Sequence, residues 1–122
     1  MTVTTDANRA PRVSERVALA LVAGQAIART PGVSATSGAG GRWRTVGSQQ
    51  IVAGVVAAEN GGGRIDVELH LVARWPLAGS LEELAEELRA RLRRAAAIAG
   101  MGERLGAVSV AFDDVLIGEE SG

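Results

Sequence analysis

No cysteine, tyrosine or lysine occurs in these 122 residues, and histidine occurs once. Without cysteine there are no disulfides, thiolate metal sites or thiol nucleophiles. Without lysine there is no P-loop lysine. Trp43, Trp75 and Phe112 are the only aromatic residues, so the 47% apolar content must build an aliphatic core. No apolar run reaches the roughly 20 residues of a membrane helix, because Val17–Ala28 is broken by Gly24 and Gln25. The opening MTVTTDANRAPRVSE lacks the apolar segment of a signal peptide. A net charge of -1 argues against a generally basic binder of nucleic acid. Together these absences weigh against an enzyme and predict a cytoplasmic protein with no cofactor and no small-molecule substrate.

The chain length suits one domain. Residues 1–12 read as a flexible tail, 13–115 as the domain and 116–122 as an acidic tail. Ser14 is placed as an N-cap, and Val17, Leu21, Gly24 and Ile27–Ala28 recur at helical spacing until Pro31-Gly32. A Gly/Ser-rich connection over 34–50 has room for a short strand around Trp43–Val46. Ile51–Ala58 is a short apolar β-type run, and Asn60-Gly61-Gly62-Gly63 supplies a hairpin loop.

The clearest pattern is RIDVELHLVARW. Ile65, Val67, Leu69, Leu71, Ala73 and Trp75 fall at every second position, so this strand has one buried and one exposed face. Ser80-Leu81-Glu82-Glu83 is a capping box. The helix it opens is acidic first (Glu82, Glu83, Glu86, Glu87) and basic later (Arg89, Arg91, Arg93, Arg94), matching the helix dipole. Ala107–Asp113 alternates as a last strand. The order α-β-β-α-β predicts an α+β two-layer sandwich, a small mixed sheet with two helices on one face and the last strand parallel.

These segments resemble the alkaline-shock or general-stress protein family, also called the envelope stress response family. The resemblance rests on VSERVALALVAGQAIARTPGV with its Pro31-Gly32-Val33 turn, VELHLVARW, LEELAEELRARLRRAAA and Val108-Ser109-Val110-Ala111-Phe112, in that order. Trp75-Pro76 and GMGERLGA depart from the family's usual turns. The resemblance implies a non-catalytic homo-oligomer acting at the inner face of the membrane through a small membrane-embedded partner protein.

Asp66, Glu68 and His70 share one strand face, where two carboxylates and an imidazole suit a divalent metal. With no second histidine, a partner-facing surface is the better reading. Ile51–Ala58 is apolar on both faces, so either Ile51/Val55 or Val52/Val56 must face outward beside Val72. The expected interaction surface is therefore Val52, Val55, Val56, Asp66, Glu68, His70 and Val72. Gly38–Gly41 lacks the spacing of a phosphate loop. An alternative is a KH-like RNA-binding module, whose order is the same, with Arg89, Arg91, Arg93, Arg94 and Arg104 on phosphates. Gly102-Glu103-Arg104-Leu105-Gly106 is one residue too long for a G-x-x-G loop, so nucleic acid is disfavoured. Asp113-Asp114 has no basic or nucleophilic companion in sequence and reads as a strand end.

Overall fold

The computed structural model describes residues 14–36, 44–46, 51–75 and 79–117. The N-terminal tail, the Gly38–Gly41 cluster, Trp43, Pro76 and residues 118–122 lie outside these.

Helix α1 spans Glu15–Ala28, and its N-terminus is capped by Ser14, whose Oγ accepts from Val17 N at 3.2 Å. Its buried side chains are Val17, Leu19, Ala20, Ala23, Ala26 and Ile27. The stripe expected through Leu21, Gly24 and Ala28 is therefore corrected: Leu21 and Gly24 are half-buried and Ala28 is exposed. This helix is apolar on most of its circumference, so spacing alone could not choose the buried side.

Six strands follow where three were expected, with room for a short fourth around Trp43–Val46. They are β1 (Val33–Ala35), β2 (Arg44–Val46), β3 (Ile51–Ala53), β4 (Val55–Glu59), β5 (Ile65–Trp75) and β6 (Leu105–Ile117), with helix α2 (Leu81–Ile98) between the last two. Strand β5 is the centre of the main sheet. One edge pairs antiparallel with β4 along Ile65–Leu69 and then with β1 along Leu71–Ala73. The other edge pairs with β6, parallel as expected.

The run Ile51–Ala58 is not one strand. Gly54, at φ +79, breaks it, and a Cβ there would strike Ala35. Val52 and Val55 both point inward as a result, three residues apart, which a continuous period of two forbids. Strands β2 and β3 form their own hairpin. It is tied to β4 by the buried Thr45, whose hydroxyl donates to Val55 O at 2.7 Å and accepts from Ala57 N at 2.9 Å. A side chain here does the work of a strand's backbone.

Asn60 shapes the loop between β4 and β5, accepting from Gly62 N and Arg64 N. The capping box of α2 forms in full, and Arg91 meets Glu87 at 2.7 Å. Leu19, Ala23 and Ile27 from α1 share one core with Leu88, Leu92 and Ala96 from α2, over Val55, Ile65, Val67, Leu69, Leu71 and Val108. Both helices thus cover one face of a mixed sheet in an α+β fold. Among the described residues no helix is long and apolar enough to cross a membrane.

Candidate functional site

The face of the sheet that no described helix covers, its open face, carries Asp66, Glu68 and His70 of β5 beside Asp113 of β6. On β5 the register places Asp66, Glu68, His70 and Val72 opposite the core-facing Val67, Leu69 and Leu71. His70 was expected on an exposed face, yet it is 4% exposed. Its backbone is held at the seam between β4 and β1, where His70 N donates to Gly54 O and His70 O accepts from Thr36 N.

Strand β6 supplies a neighbour for the ring. Phe112 opposes Leu71 and Asp114 opposes Val72, so Asp113 is the extra residue of a bulge. The bulge brings the Asp113 carboxylate to 3.2 Å from His70 Nδ1, while Glu68 lies 3.2 Å from Nε2. Asp113 was assigned no companion from sequence; only the bulge, a tertiary feature, makes this meeting. The two carboxylates stand against different nitrogens, so the ring lies between them and the three groups do not converge on one point. Asp66 turns away and accepts from Asn60 Nδ2 and Ala107 N, joining the hairpin loop to the start of β6. Among the described residues no group of three or more His, Cys, Asp or Glu could hold a metal ion.

The apolar part of the expected surface needs correction. Val52 and Val55 are buried under α1, because the Gly54 break turns both inward, and neither is available to a partner. Val56 and Val72 remain half-buried on the open face, and Ile51 is exposed beside its cross-strand neighbour Val46.

The arginines are dispersed and mostly engaged. Arg89 Nε donates to Val108 O and its guanidinium meets Glu86 at 2.9 Å. Arg93 donates to Gly106 O, Arg91 is held by Glu87, and Arg104 binds Glu15 and the Gly63 carbonyl. Residues Gly102–Arg104 form a single 3-10 turn. Among the described residues only Arg94 of the five shows no such bond, and it lines a shallow cleft between the helices with Val22 and Ile98.

Two features had no signal in sequence. The first is the end of the β5–β6 ribbon, where Trp75 pairs with Ile117 and Ala73 with Val115 beyond the start of α2. Trp75 (52%), Leu116 (45%) and Ile117 (77%) are exposed there, so Trp75 is not the core-edge residue its register predicts. The second is a groove of about 530 Å³ between α2 and β6, with Leu81, Ala85, Val110 and Phe112 as its apolar lining and Glu82, Glu86 and Arg89 at its rim.

Compared with protein-family models, curated proteins and solved structures, the chain gives no match.

Proposed function

We propose that this chain is a non-enzymatic, self-associating interaction protein of the envelope stress response type. In this reading it acts as a scaffold in the cytoplasm, held at the inner face of the membrane by a small membrane-embedded partner. The observation that carries the reading is the ribbon end, where Trp75, Leu116 and Ile117 expose apolar area on both faces of two paired strands. Large apolar side chains clustered outside the core are stabilised by burial against another surface, and a two-fold related copy offers the same patch. The element order supports the resemblance: a capped helix followed by the Pro31-Gly32-Val33 turn, the β4–β5 hairpin, a capping-box helix and a final strand. The single imidazole sits between two carboxylates, each against a different ring nitrogen.

Sedimentation velocity over a concentration series tests the first part. Wild-type protein should assemble with concentration, and a Trp75→Glu, Ile117→Glu double variant should sediment as a monomer with an unchanged circular dichroism spectrum. A wild type that stays monomeric throughout sinks the reading. Affinity capture from native cells, with and without nuclease, tests the second part. A membrane protein retained after nuclease supports the scaffold, whereas nuclease-sensitive RNA would promote the KH-like alternative.

A further inference from the structure

The outer edge of β6 changes character along its length. Helix α2 runs antiparallel beside it, one helical turn for every two strand residues. At the first two turns Arg93 donates to Gly106 O and Arg89 to Val108 O, so these edge carbonyls are closed by side chains. The strand period of two aims the backbone of Val110 and Phe112 at the same edge. There the next turns of α2 present Ala85 with Glu86, then Leu81 with Glu82, none of which can donate a side-chain hydrogen bond. The groove opens at this point. Beyond it, the N–H of Val115 is met by the Asp114 carboxylate at 2.8 Å.

The opening is flanked by acid on both sides. Glu82 and Glu86 stand on the helix side; Glu68, Asp113 and Asp114 stand on the open-face side. Arg89, the one base at the rim, pairs with Glu86, and Glu68 and Asp113 adjoin His70, so the excess of acid over base is carried chiefly by Glu82 and Asp114. A second copy of β6 laid along this edge would bring like charges together, so the charge pattern disfavours self-pairing here. We infer that the Val110–Phe112 edge accepts an extended basic segment of a partner protein as an added strand, with apolar residues at alternate positions entering the groove and Lys or Arg meeting the flanking carboxylates. Backbone hydrogen bonds would supply affinity, and the groove and acids would supply selectivity. The inference rests on the reading of this chain as an interaction protein, and it gives that protein a second surface distinct from the ribbon end.

The test uses full-length chain and two labelled peptides of equal length, one alternating valine with arginine and one alternating valine with glutamate. Fluorescence anisotropy should show binding of the basic peptide alone. Binding should weaken about tenfold in a Glu82→Lys, Glu86→Lys variant, whose changes are solvent-exposed and leave the core intact. Bound peptide should also slow hydrogen exchange at the Val110 and Phe112 amides. No binding, equal binding of both peptides, or binding without amide protection overturns the inference. Amides that become protected with rising protein concentration alone would assign the edge to a second copy and also overturn it. Sedimentation of the same samples separates the two proposals: self-association that persists without peptide binding fails the edge and spares the scaffold.

Discussion

Strands β5 and β6 form one ribbon with two unlike ends. At the start, Ile65, Val67 and Leu69 lie beside Leu105, Val108 and Val110 beneath two helices, and arginines close the carbonyls of the outer edge. At the finish, Trp75 and Arg74 pair with Ile117 and Leu116 past the reach of α2, and their side chains meet solvent. The residue types are similar in both places. What differs is whether a helix lies above, so identical alternation gives core in one half and surface in the other. Apolar spacing identifies a strand face; only the neighbouring layer decides whether that face is buried.

The contrast can be broken by substitution, beginning with the covered half. Leu69→Ala should cost about 2–5 kcal/mol, because a fully buried side chain leaves a cavity that its neighbours fill only in part. Urea denaturation would measure it, and a loss near that of a surface site would contradict the assigned core. Thr45→Val keeps the shape but strips the hydroxyl between Val55 O and Ala57 N. Two buried backbone groups lose a partner, for an expected loss of about 1–3 kcal/mol, while Thr45→Ser should retain most of the stability. Ser80→Ala removes the capping-box hydroxyl at the point where α2 begins beside the ribbon, for about 1 kcal/mol in thermal unfolding. Ile117→Ser at the uncovered end, measured at a dilution where the chain is monomeric, should fall within about 0.5 kcal/mol of wild type. A loss there as large as at Leu69 would erase the distinction between the two halves.

Much of the frame was legible from local chemistry. Alternation placed the inward side of β5, Ser80 and Glu83 located the start of α2, and Asn60 with the following glycines located the hairpin, because each signal lies within a few residues of its effect. The three-residue β1 is too short to show a period, and its pairing with Leu71–Ala73 is long-range. Gly54 lay inside a run read as one strand, because that it breaks the run and turns Val52 and Val55 the same way depends on α1 and on the approach of Ala35. Asp113 was visible as half of an acidic pair; its approach to His70 needed a bulge that no spacing rule indicates. The groove beside Val110 and Phe112 required knowing which turn of α2 faces which strand residue.

Strand β6 is 13 residues long and has an outer edge that no other described strand covers, a geometry that ordinarily templates amyloid-like growth. The bulge at Asp113 interrupts the flat run of the strand, and Asp113 with Asp114 sets charge in the middle of it. An incoming chain therefore cannot zip along the whole strand without meeting a kink and two carboxylates. The irregularity that brings Asp113 to His70 also guards this edge against runaway fibre formation.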